Sequence, residues 1–151
     1  GIACLIAAIH RERGVAMPFR HDVPFREPYR YFLRPRLNGE TSAERFARAA
    51  LATAAPDGVL MADSTLNGPL VYMREVEGVC PSVAISMGSE VVPGPPTTTT
   101  DRAGVRPFAE RGVAYLCSDA PGYIPDWVPK EYDLERAGPI FRLKARARTP
   151  K

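Results

Sequence analysis

Asp63 closes the apolar run Val59-Leu60-Met61-Ala62, and Asp119 follows Ser118 at the end of a second run, Val113-Ala114-Tyr115-Leu116-Cys117. If the two runs are neighbouring strands, the carboxylates meet. Two adjacent negative charges are unfavourable, so one group tends to hold a proton that the other can exchange, which is the basis of paired acid and base work. Ser64, Thr65, Asn67, Ser86 and Ser118 would add hydroxyl and amide groups at the same rim, a set suited to a small polar ligand. The competing structural reading, and the favoured one, has each aspartate capping the turn that leaves its strand. Tyr123, Trp127 and Tyr132 offer aromatic faces that stack on sugars or peptides. In a proline-rich loop such residues more often pin the loop to its domain, and that role is favoured here.

Other chemistries lack their residues. Neither a GxGxxG turn nor a GxxxxGK loop follows any apolar run, so the backbone cradle for nucleotide phosphates is missing. There is no GxSxG elbow, and His10 and His21 both precede the domain, which leaves a serine or cysteine nucleophile without a general base. Cys4, Cys80 and Cys117 form no CxxC pair and are odd in number, so neither a zinc site nor a full disulfide framework is expected. No cofactor or metal is expected. The formal charge of +3 is too small to imply nucleic acid, and no nucleic-acid partner is expected. Two basic clusters do exist: seven arginines from Arg11 to Arg36, and the alternating Arg142, Lys144, Arg146 and Arg148. The second reads as an edge strand whose charges discourage pairing with other chains.

The elements that must position these residues follow from periodicity. Thr41-Ser42-Ala43-Glu44 has capping-box spacing, and Ala43, Phe46, Ala47, Ala50, Leu51 and Ala54 form one apolar stripe of a helix ending near Ala55. Pro56-Asp57-Gly58 is turn chemistry, and Val59-Leu60-Met61-Ala62 reads as a strand buried on both faces. A second helix is expected with Asn67 or Gly68 as cap, Pro69 first, Leu70, Met73 and Val76 inward, and Gly78 in the left-handed ending. Phe46 and Tyr72 are assigned to the core on spacing. Residues 83–87 and 113–117 are further strands. Between them, 97–101 caps a weak helix that Gly104 and Pro107 interrupt and that resumes through Phe108 to Gly112. A short helical turn over 123–130 carries Trp127, and Tyr132–Ala137 and Ile140–Ala145, parted by Gly138-Pro139, complete the sheet edge.

Strands alternating with helices predict an α/β fold: a small, Rossmann-like, three-layer domain on a mainly parallel sheet, with ligands at the carboxyl ends of its strands. The organisation read from composition is an apolar stub over 1–13, a proline- and arginine-rich linker over 14–37, the α/β domain over 38–146 and a basic tail over 147–151. Crossing a bilayer takes about 20 apolar residues, so the stub alone is too short. It reads as the last part of a longer transmembrane helix, with a short core helix or strand as the alternative.

Two phrases resemble a known family. One is Glu44-Arg45-Phe46-Ala47 through Pro56-Asp57-Gly58-Val59-Leu60-Met61-Ala62-Asp63-Ser64-Thr65 to Val76-Glu77-Gly78-Val79-Cys80-Pro81-Ser82-Val83; the other joins Gly112-Val113-Ala114-Tyr115-Leu116, Tyr123-Ile124-Pro125-Asp126-Trp127 and Gly138-Pro139-Ile140-Phe141-Arg142. The resemblance covers about residues 31–143. Both phrases resemble the soluble C-terminal region of multi-spanning membrane proteins long catalogued as a domain of unknown function and grouped with GT-C glycosyltransferases of the protein O-mannosyltransferase type. Cys80 and Ser82 stand where that family has arginine and aspartate.

The resemblance implies a parent enzyme that moves sugar from a lipid-linked donor to a protein or glycan acceptor, with its catalytic acid in the membrane part. This chain would be the non-catalytic accessory domain, tied to the membrane through preceding helices and placed outside the cytoplasm. The alternative is a free-standing α/β module that binds a small polar ligand at the aspartate rim.

Overall fold

The computed structural model describes residues 2–14, 24–26, 39–87, 102–120 and 123–146. Most of the linker 14–37, the loop at 91–96, the 97–101 cap and the tail 147–151 lie outside the described residues. In chain order the elements are α1 (Ile2–Glu12), α2 (Ser42–Thr53), β1 (Val59–Ala62), α3 (Ser64–Glu75), β2 (Ala84–Met87), α4 (Arg102–Glu110), β3 (Ala114–Leu116), α5 (Val128–Glu131), β4 (Tyr132–Ala137) and β5 (Ile140–Ala145).

The fold is mixed α/β around one five-stranded sheet of order β2-β1-β3-β5-β4. β1 is flanked in parallel by β2 (Leu60 opposite Ile85) and β3 (Leu60 opposite Tyr115), so the three apolar runs lie side by side. β5 is antiparallel to both β3 and β4. The sheet is therefore parallel at one end only, not mainly parallel. The reason is local: a parallel return needs a crossover of a dozen or more residues, and only Gly138-Pro139 separates Ala137 from its partner Ile140. Gly138 takes φ +55 at that turn, a region open to glycine at little cost.

Side chains alternate across the sheet, and each face has its own core. On one face Leu60, Ile85, Tyr115 and Ile140 pack with Phe46 and Leu51 of α2 and Leu66 and Leu70 of α3. On the other Val59, Met61, Leu116 and Leu143 pack with Val105 of α4 and Val128 of α5. Each fully buried Leu, Ile or Phe contributes roughly 1.5–3 kcal/mol of transfer free energy, so the two faces offset the ordering of a small domain only together.

Several expectations need correction. α3 starts at Ser64 rather than at Pro69, because Asp63 caps it directly from the strand end, accepting the N–H of Thr65 at 2.8 Å. Pro69 then sits inside the helix. Its missing N–H deprives only the carbonyl of exposed Thr65, which water can reach. The earlier start adds Leu66 to the inner stripe of Leu70 and Met73; Tyr72 lies off that stripe and is 51% exposed, and Val76, just past the last helical residue, is 65% exposed, so neither is in the core. Gly78 does take the left-handed ending at φ +66, with the N–H of Val79 donating to the carbonyl of Met73.

The capping box at α2 is also different. Thr41 makes no side-chain cap, and Glu40 instead accepts the N–H of Ser42 at 2.8 Å. α4 runs unbroken through Gly104 and Pro107. Val105 and Ala109, four residues apart, seat it on the sheet, and that packing outweighs the poor intrinsic helix propensity.

β5 is not an edge strand. It lies between β3 and β4, so protection against edge pairing does not explain its alternating charges. Arg142 faces Glu135 and Lys144 faces Asp133 in register, and Arg146 Nε reaches Asp133 Oδ1 at 2.7 Å. The basic residues answer an acidic row on β4, an opposite-charge ladder worth a few tenths of a kcal/mol per pair on an exposed sheet face.

Candidate functional site

Because β1 and β3 are parallel neighbours, the residues that follow them come out at one end of the sheet. The pairing of Met61 with Leu116, continued by the bond from Cys117 N–H to the Met61 carbonyl at 3.0 Å, brings the loop of Asp63 beside that of Ser118 and Asp119. This is the strand rim read from the sequence. Ser64 and Thr65 are exposed in the first turn of α3, and Asn67 is half-buried one turn on. Ser86, opposite Met61 on β2, is fully buried, and its Oγ has no hydrogen-bond partner among the described residues. Tyr123 is exposed and tied to the same loop by its N–H, which donates to the carbonyl of Ala120 at 3.1 Å. Trp127 turns elsewhere, packing into the second core and meeting Tyr132 edge-on at 6.0 Å between ring centres.

Two of the rim's polar side chains are engaged with backbone. Asp63 Oδ1 holds the start of α3, and Ser118 Oγ accepts the N–H of Ala120 at 3.0 Å, the geometry of a serine turn. Asp119 is exposed. His10, remote in sequence, has its Nδ1 2.8 Å from the carbonyl of Ile6. Among the described residues no group of three His, Cys, Asp or Glu side chains is placed to hold a metal ion.

Since capping is what Asp63 visibly does, its loss should read out as stability. Asp63→Ala is expected to lower unfolding free energy by about 1 kcal/mol, while Asp63→Asn, an equally good cap, should cost only a few tenths. Urea denaturation followed by far-ultraviolet circular dichroism distinguishes them. Equal loss in the two variants would contradict the capping role.

Sequence reasoning missed a second feature. A cleft of about 450 Å³ opens where α4 and α5 meet the Tyr132–Ala145 end of the hairpin, lined by Arg102, Arg106, Lys130 and Arg146 among others. β5 runs against β3, so this cleft lies at the opposite end of the sheet from the Asp63 rim. Of its lining, the sequence singles out only Arg146, as part of an alternating strand, and Tyr132, as an aromatic face. The i, i+4 spacing of Arg102 and Arg106 was available as a signal, but their approach to Lys130 and Arg146 depends on the strand order.

Comparison with protein-family models, with curated proteins and with solved structures gives no match.

Proposed function

We propose that this chain is a non-catalytic α/β domain, Rossmann-like in its parallel β1-α3-β2 and β2-α4-β3 units. It would serve a multi-spanning membrane glycosyltransferase that moves sugar from a lipid-linked donor to a protein or glycan acceptor, and lie on the extracytoplasmic side. The observation that carries the reading is α1. This helix leaves Leu5 62%, Ile6 40% and Ile9 37% exposed, and a row of uncovered apolar side chains marks contact with a membrane or a partner. No helix among the described residues is itself long and apolar enough to cross a membrane. Further support comes from the family-like phrases, which fall on consecutive elements: the first runs through α2, β1 and α3, the second through β3 and the β4–β5 turn. The engagement of Asp63 and Ser118 as caps agrees with a supporting rather than a catalytic role.

Membrane vesicles carrying the whole gene product test the proposal. They should transfer sugar from a polyprenyl-phosphate-linked donor, and deletion of 38–146 should lower that transfer. Asp63→Asn combined with Asp119→Asn should leave it within about twofold. A reading frame without several hydrophobic spans ahead of Gly1, or transfer abolished by the double substitution, would sink the reading.

A further inference from the structure

We infer that the cleft between α4, α5 and the open end of the β4–β5 hairpin binds a phosphate ester. Its lining carries Arg102, Arg106, Lys130 and Arg146 against Glu110 and Glu131; with Asp133, which pairs with Arg146, the local excess is one positive charge. The inference concerns the chain's own surface and does not rest on the membrane reading.

The arginines are oriented in the same way. Glu131 holds Nε of Arg102 at 2.8 Å, Glu110 holds Nε of Arg106 at 2.8 Å, and Asp133 holds Nε of Arg146 at 2.7 Å. In each pair the closest contact is through Nε, and among the described residues the side-chain hydrogen bonds of these three arginines are made by Nε, not by Nη. Ion pairs this exposed add little to stability, so stability alone is a weak reason for three of them around one cleft. What they do supply is orientation. A carboxylate on Nε restricts the side chain and leaves the Nη fork, whose parallel N–H groups match two phosphate oxygens. Glu110 also holds Arg106 more firmly protonated, through its hydrogen bond first and its charge second.

Lys130 adds three further donors from α5. The ring of Tyr132 with Ala109 and Ala145 supplies apolar wall for the organic part of an ester, and about 450 Å³ lies within the range of small-ligand sites. Arg142 and Lys144 alternate with Phe141 and Leu143 of the second core, so they belong to the other face of the sheet and provide a charge-matched control.

Glucose 1-phosphate titrated into the purified chain should give saturable amide shifts centred on Arg102, Arg106, Lys130 and Arg146. Arg106→Gln with Lys130→Gln should weaken binding about tenfold, and Arg142→Gln with Lys144→Gln by less than about twofold. Vesicles of phosphatidylcholine with and without phosphatidic acid, tested by co-sedimentation on the same variants, separate the two sources of the ester. Response to glucose 1-phosphate alone assigns a soluble ester, response to phosphatidic acid alone a lipid headgroup, and either one supports the site, as do both together. No saturable response to either probe, or equal weakening by the two double variants, overturns it.

Discussion

Gly58→Ala is expected to lower unfolding free energy by about 3 kcal/mol, the upper range for overpacking. A Cβ at this buried position would stand 2.8 Å from the carbonyl oxygen of Val113, 2.9 Å from that of Ala55 and 3.4 Å from Cε2 of Tyr115. The two oxygens cannot easily withdraw. Val113 O accepts the N–H of Val59 at 2.9 Å and Ala55 O accepts that of Gly58 at 3.1 Å, while Gly58 O is itself bonded to the N–H of Ala84 at 2.8 Å. The entry to β1 is thus pinned from both neighbouring strands. For a domain of this size, 3 kcal/mol corresponds to a fall in melting temperature on the order of 15 °C. Gly68→Ala is the contrasting control: apart from its chain neighbours nothing lies within 4 Å of its Cβ, and the helical preference for alanine, up to about 1 kcal/mol, is opposed by crowding against the Pro69 ring, so its net effect should be small. Urea titrations should show Gly58→Ala losing clearly more stability than Gly68→Ala. A Gly58→Ala protein within about 0.5 kcal/mol of the parent would mean that the strand junction is not packed as described.

Tyr115→Ala should cost more, about 4 kcal/mol, in the range seen for large-to-small replacements of buried aromatic residues. Tyr115 is fully buried at the middle of β3, between β1 and β5. Its ring joins the α2–α3 core, Arg142 lies over it at 5.6 Å, and its hydroxyl accepts the N–H of Ala55 at 3.2 Å beyond the end of α2. The loss is a large share of the 5–15 kcal/mol typical of a domain, so the variant should unfold at a much lower urea concentration than the parent. Tyr115→Phe separates the contributions: it keeps the ring and leaves only the Ala55 N–H without its acceptor, at a cost of about 1 kcal/mol. Equilibrium denaturation of the pair should therefore give a clear gap between them. If alanine costs no more than phenylalanine, the ring is not packed as described.

Particular residues show why some of the fold was legible and some was not. The runs 59–62 and 113–117 identify buried strands because four or five consecutive apolar residues closed by polar ones satisfy both faces of a sheet at once. Gly138-Pro139 identifies a tight turn through its own backbone chemistry. Asp63 was ambiguous, because a strand-end cap and a helix N-cap use the same side-chain bond, and only the position of the following helix separates them. That ambiguity displaced the start of α3 by five residues; Tyr72 and Val76 were misplaced separately, Tyr72 because it lies off the Leu66, Leu70 and Met73 stripe and Val76 because the helix ends before it. The alternating charges of β5 were misread for a different reason: alternation reports one exposed face and says nothing about which strand lies alongside.

Determined by the sequence alone were the strands and helices as local objects, the turns at Asp57-Gly58 and Gly138-Pro139, and the family-like phrases. Each of these depends on residues within one or two turns of chain, where periodicity, capping and turn conformation act. Strand order, the opposite ends at which the Asp63 rim and the arginine cleft emerge, and the pairing of β5 charges with β4 were decided only by tertiary structure. Those features join residues distant in the chain, and a side chain's neighbours across a sheet follow from how the strands associate, which no local pattern encodes.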